Sequence, residues 1–234
     1  MGDCLFMRRG AVHTAPLLIK SAFADNTWAE VVLACQKNKV PETWNVGDQL
    51  SMTINGVEYK VDIIGKSHDN YADGSGKAPL TFQLHDCYGT ILAMNNSQVN
   101  TGGWRDSVMR KIHLPNILSL MPLEVQNAIK EVKKVASAGA QSNSLYTTSD
   151  KLFLLSEVEV FGTNSGANSG EGKQYEYYQK GNSKVKKVKN TMSVWWERSP
   201  DYGSPFTFRG VATAGTAYWY YANHEYGVSF AFCF

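Results

Sequence analysis

The stretch with the most distinctive chemistry is AYWYYANHEYG, residues 217–227, close to the end of the sequence. It places five aromatic rings in eleven residues, interleaved with Ala, Asn, His and Glu. Tyrosine gives a large, rigid contact area at low entropic cost, and small polar neighbours adapt their hydrogen bonds to a ligand. The stretch therefore predicts a binding surface. The alternative is a Tyr-rich sheet edge without a ligand.

Aromatic residues as a whole are concentrated in the same region. Thirteen of the 28 aromatic residues lie between positions 195 and 234. Phe230, Phe232 and Phe234 alternate along the chain, which is typical of the buried face of a strand. The tyrosines of 217–227 show no such period, so we expect them to face outward.

The segment WWERSP, residues 195–200, constrains the same region further. Adjacent side chains on a strand point to opposite faces of the sheet. We therefore expect one of Trp195 and Trp196 to fill the core and the other to cover a second surface. The alternative is that the two rings simply pack two layers.

A calcium site is considered in HDNYADGSG, residues 68–76. Asp69, Asp73 and Gly74 match an EF-hand loop, but Tyr71 and Leu80 stand where oxygen ligands belong. A loop capped by Asp side chains is the favoured interpretation.

Signals for catalysis are weak as well. The five histidines show no metal-ligand spacing, and no HExxH, GxSxG or phosphate-binding glycine loop is present. His85 and Cys87 would stand about 7 Å apart on a strand, too far for a hydrogen bond. A sugar-cleaving enzyme would need two carboxylates in a cleft, for which Glu197 and Glu225 are the candidates. We predict no enzymatic activity, no metal and no cofactor.

Composition excludes further classes of protein. The 234 residues include 23 basic and 21 acidic side chains, which argues against a general nucleic-acid-binding protein. No apolar run approaches the ~20 residues of a membrane span, and the N-terminus does not read as a signal peptide. We therefore expect a protein that remains in the cytoplasm or leaves by a non-classical route.

The four cysteines are spread singly, so buried thiols are favoured over disulfides or zinc.

Residues 1–20 form a candidate separate segment with several apolar side chains and the run PLLIK. We leave two interpretations open: the segment docks onto another protein, or it supplies a first strand of the domain's own sheet.

The periodicities beyond this segment predict an α+β domain. TWAEVVLACQK (27–37) predicts a helix, and Asn55-Gly56 within 50–65 predicts a hairpin. Further helices are expected from Trp104 to near Pro115 and over 122–139. Further strands are expected over 78–86, 151–162, 183–189 and 192–199, with long polar loops between them.

These motifs together resemble a family found in phages and prophages of Gram-positive bacteria and in bacterial surface proteins. Its members typically end in WW-x-RSP followed by GV-x-F/P-x-F, and this chain ends in WWERSP and then YGVSFAFCF. The similarity extends upstream through TWAEVVLACQKNKVPETWNVGD, GGWRDSVMRKIHLPNILSLMP and DKLFLLSEVEVFG. It covers nearly all of the chain beyond residue 25.

The family is similar to the C-type-lectin-like group that includes formylglycine-generating enzymes and the variable proteins of diversity-generating retroelements. The resemblance implies a single C-type-lectin-like domain over 21–234, with helices packed on a twisted antiparallel sheet and long loops. The enzymes of that group use a pair of active-site cysteines, whereas no two cysteines are near in this sequence, so enzymatic activity is not expected. The variable proteins place their binding residues just before a fixed terminal strand.

That position corresponds here to a binding face within 195–227. The residues expected to contact a ligand are Tyr202, Thr207, Arg209, Thr213, Tyr218, Tyr220, Tyr221, Asn223 and Glu225. The resemblance implies a virion protein of a phage tail tip, baseplate or fibre that binds a host cell-surface glycan or protein. Residues 1–20 would attach it to other virion proteins, and a homo-oligomer, plausibly a trimer, is expected; no nucleic acid and no membrane is expected as a partner. The alternative is a capsid or tail decoration protein that uses the same face for assembly.

Overall fold

A computed structural model describes residues 18–234 of the chain. The helices in this range are α1 (Trp28–Gln36), α2 (Gly103–Asp106), α3 (Leu114–Leu118), α4 (Leu123–Ala128), α5 (Glu157–Phe161) and α6 (Glu176–Gln179). A 3₁₀ turn covers Phe23–Asp25 and a π-helical turn covers Met109–His113.

The strands are short and mostly paired with antiparallel neighbours. They are β1 (Gln49–Ile54), β2 (Val57–Lys66), β3 (Leu80–Leu84), β4 (Leu92–Ala93), β5 (Val132–Ser137), β6 (Leu145–Asp150), β7 (Lys186–Val188), β8 (Thr191–Ser193), β9 (Trp195–Pro200), β10 (Thr207–Val211), β11 (Ala217–Tyr221), β12 (Glu225–Tyr226) and β13 (Ala231–Cys233).

The main sheet has the order β1-β2-β3-β13 and begins with the predicted hairpin. Ile54 pairs with Val57, and Asn55 and Gly56 between them have φ angles of 48° and 75°. Asn and Gly tolerate these left-handed angles better than other residues. The pairing of β1 with β2 around them confirms the predicted hairpin.

The core on this sheet is built from aromatic rings. Phe82 of β3 lies opposite Phe232 of β13, with ring centroids 5.3 Å apart. Trp28 of α1 packs edge-on against Phe82 at 5.5 Å. Phe230 and Phe234 are also buried, so the predicted apolar alternation at the end of the chain is confirmed.

The predicted helix 27–37 is confirmed as α1, and its first turn is closed by Thr27. The Thr27 hydroxyl accepts a hydrogen bond from the N–H of Glu30, and the Glu30 carboxylate accepts one from the N–H of Thr27. This reciprocal cap satisfies two N–H groups that the helix itself leaves without partners.

The predicted helix over 122–139 is wrong beyond Ala128. Residues 132–137 form β5, which pairs with β6. Val132 and Ala136 fit a helical stripe, but Val132, Lys134 and Ala136 also fit the buried face of a strand. Lys134 does not look like a core residue by type, yet it is buried because acidic partners surround its ammonium group.

The predicted strand over 151–162 is wrong in its second half. Phe153 does bridge to Ala231, but residues 157–161 form α5. The Ser156 hydroxyl accepts a hydrogen bond from the N–H of Glu159, whose carboxylate in turn accepts one from the N–H of Ser156. This capping box outweighs the apolar alternation of the segment.

The helical region that begins near Trp104 is interrupted at Ser107, whose backbone is extended, and it does not stop at Pro115. The π-helical turn Met109–His113 runs directly into α3, which contains Pro115 and ends at Leu118. The strands expected over 78–86, 183–189 and 192–199 appear as β3, β7, β8 and β9.

A three-stranded sheet of order β11-β10-β9 supports the end of the chain. Trp195 and Trp196 in β9 are both fully buried and pack against different segments, so the alternative that the two rings pack two layers is confirmed. Each face of β9 is covered by another segment: the indole of Trp195 donates to the carbonyl of Lys184, and that of Trp196 to the carbonyl of Leu92.

The fold is thus mixed α/β, with mostly antiparallel sheets and few helices. No helix within 18–234 is long and apolar enough to cross a membrane. Cys35, Cys87 and Cys233 are buried free thiols, as predicted, and burial raises the pKa of Cys35 to about 12; Cys4 lies outside the described residues. Most of the predicted attachment segment, residues 1–17, lies outside them too, while Lys20 pairs with Glu30 at 2.9 Å.

Candidate binding site

The register between β10 and β11 sorts the side chains of the aromatic strand onto two faces. Thr207 pairs with Tyr221, and Arg209 pairs with Trp219. Residues directly opposite each other in an antiparallel pair lie on the same face, so these four side chains share one face. The alternate residues of β11 lie on the other.

The first face forms a groove of about 590 Å³, which we call the aromatic groove. β11 contributes Trp219 and Tyr221, and the loop before β10 contributes Tyr202 and Phe206. All four rings are exposed. The groove also has a buried polar floor, made of Asp201, Thr207 and Arg209.

The floor is held together by charge-assisted hydrogen bonds. The Arg209 guanidinium donates to Glu157 Oε1 at 2.8 Å and to Asp201 Oδ1 at 3.2 Å, and the Thr207 hydroxyl donates to Asp201 Oδ2 at 3.1 Å. Burial alone would raise the pKa of Glu157, but the hydrogen bond from Ser165 and the charge of Arg209 lower it. Thr207 and Arg209 are therefore buried residues beneath the groove, and not the exposed contact residues that the sequence predicts.

On the opposite face of β11, Tyr220 fixes the strand to the body of the domain. Its ring lies 4.7 Å from that of Tyr226 and 6.2 Å from that of Trp196. A Cβ on Gly210 would lie 3.1 Å from the Tyr220 ring, so glycine there permits this close packing. Tyr218 on the same face is exposed.

The remaining predicted contact residues lie apart from the groove. Thr213 is exposed in the turn between β10 and β11, and Asn223 and Glu225 are exposed after β11. The structure therefore brings together four of the nine predicted residues at the groove: Tyr202, Thr207, Arg209 and Tyr221.

Two of the four rings of the groove, Phe206 and Trp219, are missing from the predicted set. Trp219 was open to inference from the sequence, because it is two residues before Tyr221 and therefore shares its face on a strand. Phe206 was not: it adjoins the strand TFRGV and would be expected in the core from its type alone, yet it is exposed.

A second set of charged side chains lies inside the domain. We call it the ion cluster, and its members are Asp69, Lys134, Glu159 and Arg198. Lys134 Nζ lies 2.5 Å from Asp69 Oδ1 and 3.0 Å from Glu159 Oε1. Arg198 donates twice to Glu159, at 2.5 and 2.9 Å. Burial by itself would raise the pKa of Asp69, but Lys134 lowers it to about 2, so the Asp69 carboxylate stays ionised at neutral pH.

Glu197 differs from these paired acids. It is fully buried, and neither carboxyl oxygen has a hydrogen-bond partner within the described residues. Burial, reinforced by the carboxylate of Glu157, raises the pKa of Glu197 well above its usual value near 4.5. Because the folded chain resists ionisation of this acid more than the unfolded chain does, the free energy of unfolding falls as the pH rises above the usual carboxyl range near 4.5.

We expect the substitution Glu197→Met to raise the free energy of unfolding by ~1–3 kcal/mol at pH 8, because it removes the cost of burying an unpaired polar group. Near pH 4 the carboxyl group is protonated in both folded and unfolded chains, so the gain should be smaller there. Urea unfolding at the two pH values measures the difference, with exposed Glu225→Met as the control. A destabilised Glu197→Met at pH 8 would contradict this account.

The candidate pairs for catalysis do not form such sites. Glu197 is buried and Glu225 is exposed on β12, and His85 hydrogen-bonds Asp62 at 2.9 Å instead of approaching Cys87. Within residues 18–234, no three His, Cys, Asp or Glu side chains are grouped to hold a metal ion.

The fold and this surface define a mixed α/β domain that presents an aromatic groove on the edge strand of a small, well-supported sheet. The chain belongs to the family described as a domain of unknown function, DUF6273, whose model matches residues 84–234. The matched region contains the whole groove and its floor. No curated protein and no solved structure gives a significant match.

Proposed function

We propose that this protein is a phage virion component, of a tail tip, baseplate or fibre, that binds a receptor on the host cell surface through β11 and the aromatic groove. The observation that carries the proposal is the contrast between two neighbouring strands. Every residue of β10 is buried, whereas β11 exposes Tyr218, Trp219 and Tyr221. Exposed rings on a rigid support lose little entropy when a ligand binds.

The resemblance of the terminal motifs to proteins of phages and prophages supports the virion location. The C-type-lectin-like fold is part of the same proposal, and the mixed α/β architecture with a binding face just before a buried terminal strand agrees with it. Residues 1–20 attach the domain to the particle, and a homo-oligomer repeats the site. Repetition of a weak site increases avidity by ~10²–10⁴ when the geometry allows simultaneous contacts.

A second candidate function is assembly, in a capsid or tail decoration protein. The observation in its favour is the position of β11 at the edge of its sheet. An edge strand offers unpaired N–H and C=O groups to a strand of another chain. Only the behaviour of variants separates this candidate from receptor binding.

The test is the double substitution of the exposed Tyr218 and Tyr221 by alanine in phage particles, which leaves the packing ring of Tyr220 in place. Each well-packed aromatic contact contributes ~2 kcal/mol, so we expect adsorption to host cells to fall by more than about 30-fold while particles stay intact. The exposed Leu123→Ala, on α4, serves as the control. Particles that fail to assemble favour the decoration role, and normal adsorption by intact particles contradicts receptor binding. Mass spectrometry of purified particles tests whether the protein is in the virion at all.

A further inference from the structure

Trp219 differs from the other five tryptophans in the hydrogen bonding of its indole N–H group. The N–H groups of the five buried tryptophans all donate to acceptors in the protein: Trp28 to Ser51, Trp44 to Lys20, Trp104 to Asp150, Trp195 to Lys184 and Trp196 to Leu92. The sixth, Trp219, makes no hydrogen bond to any described residue and is 39% exposed. A large ring with an unused donor at the surface is typical of a ligand contact.

The other rings of the aromatic groove share this property. Tyr202, Phe206 and Tyr221 are 48%, 46% and 36% exposed. The hydroxyl groups of Tyr202 and Tyr221 make no hydrogen bond within residues 18–234. The groove therefore combines four apolar ring faces with three free polar groups, including the Trp219 indole, and its volume lies within the ~300–1,000 Å³ usual for small-ligand sites.

The charge of the groove restricts the ligand further. Arg209 and Asp201 are the charged residues of its lining, and they pair with each other at 3.2 Å. Glu157 binds the same guanidinium from below at 2.8 Å. No free cation for a phosphate remains, and both carboxylates are bound to the Arg209 guanidinium, so the groove suits a neutral ligand better than an anionic one.

We propose that the aromatic groove binds a short neutral saccharide, one or two sugar units of a surface glycan. This inference rests on the proposed receptor-binding function and names its ligand class and its site. A sugar ring has an apolar face whose C–H groups carry partial positive charge, which complements the negative face of an aromatic ring. Its hydroxyls match the free groups of Tyr202, Tyr221 and Trp219.

A protein epitope fits this site less well. Stable protein interfaces bury ~800 Å² on each partner around a dry apolar core. The aromatic groove is instead concave, and beneath its rings lies the polar floor of Asp201, Thr207 and Arg209. Polar groups held in place under aromatic rings favour a ligand that carries many hydroxyls.

The direct test is titration of the full-length chain with chitotriose, maltotriose and lactose, with glucose 6-phosphate as the charged comparison. Trp219 is the exposed tryptophan of the six, so its fluorescence reports occupancy of the groove. We expect at least one neutral sugar to bind at millimolar concentration, and glucose 6-phosphate to bind no better than a neutral sugar. Absence of binding by every neutral sugar, measured also by saturation-transfer NMR, overturns the inference.

Trp219 provides the variant that tests the groove. It lines the groove, and its ring stacks on that of the neighbouring Tyr218 with the centroids 5.1 Å apart, so Tyr218 cannot serve as the control. We expect Trp219→Ala to weaken saccharide binding by about 30-fold, followed by NMR, and the exposed Leu123→Ala on α4 to leave it unchanged. Trp219→Phe keeps an aromatic face and should retain most of the affinity, which separates loss of stacking from misfolding. Equal losses in Trp219→Ala and Leu123→Ala contradict the inference.

Binding of Trp219→Ala and Tyr218→Ala to host cells distinguishes this inference from the proposed function. If neither of these two variants changes cell binding, receptor recognition by β11 fails. If Tyr218→Ala abolishes cell binding and Trp219→Ala does not, receptor recognition stands and the saccharide groove fails. Cell binding lost after protease treatment but kept after periodate oxidation of the cells indicates a protein receptor, and this also overturns the saccharide assignment.

Discussion

Replacement of Glu159 by glutamine is expected to lower the free energy of unfolding by ~3–5 kcal/mol at neutral pH. Glu159 neutralises two buried cations at once, Lys134 at 3.0 Å and Arg198 at 2.5 Å. Glutamine has nearly the same shape but no charge, so the two cations are left with too little negative charge around them.

Urea unfolding measures this loss, with Glu176→Gln as the matched control. Glu176 pairs with Lys180 at 2.8 Å, but that pair is half exposed, and exposed ion pairs contribute ~0–1 kcal/mol. Although burial would raise the pKa of Glu159, Arg198 and Lys134 lower it. Its contribution is therefore complete above the usual carboxyl range near pH 4.5 and is lost as the pH falls toward the lowered value. A loss as small as that of Glu176→Gln would mean that the ion cluster adds no net stability.

Local patterns were read correctly where the chemistry of a few adjacent residues decides the structure. Asn55-Gly56 fixed the first hairpin, Thr27 marked the start of α1, and the alternating Phe230 and Phe232 marked a buried strand. In each case the relevant partners are close in sequence or belong to one repeating pattern. Such features do not depend on the rest of the fold.

The errors arose where distant partners change what a residue type means. Lys134 is a core residue of β5 only because Asp69 and Glu159, from remote segments, surround its ammonium group. No pattern within 122–139 shows this, so a helix was the simpler prediction. The strand predicted over 151–162 is wrong for a different reason. Ser156 and Glu159 form a capping box that is visible in the sequence, and it favours α5 over the strand that the apolar alternation predicts.

The candidate site was predictable as a region but not as a set of residues. The high density of rings in 217–227 marks β11, on which Tyr218 and Tyr221 are exposed. Strand alternation by itself puts Trp219 on the face of Tyr221 once 217–221 is taken as a strand. That Thr207 and Arg209 lie on this same face depends on the register with β10, and the burial of Arg209 depends on Glu157 and Asp201, neither of which the sequence reveals.

Helix α5 connects the interior of the domain with the groove. Glu157 and Glu159 are two residues apart, which on a helix separates their side chains by about 200°. Glu157 therefore binds Arg209 beneath the aromatic groove, while Glu159 binds Lys134 and Arg198 in the ion cluster. Five residues of helix thus join two buried charge networks, and we expect the floor of the groove to be as rigid as the core.

This arrangement predicts a large effect for Arg209→Met. Methionine has a similar length to arginine but is apolar, so the substitution leaves the carboxylates of Glu157 and Asp201 buried without their cation. We expect this to lower the free energy of unfolding by ~3–5 kcal/mol. Arg209→Lys keeps the charge but cannot hold both carboxylates with a planar fork, so its loss should be intermediate. Urea unfolding compares both variants with Arg105→Met, whose guanidinium is exposed beside Asp106 and should matter little. If Arg209→Met were as stable as Arg105→Met, the buried charges would not hold the floor of the groove, and the rigid support inferred for the aromatic rings would have to come from the β10–β11 pairing alone.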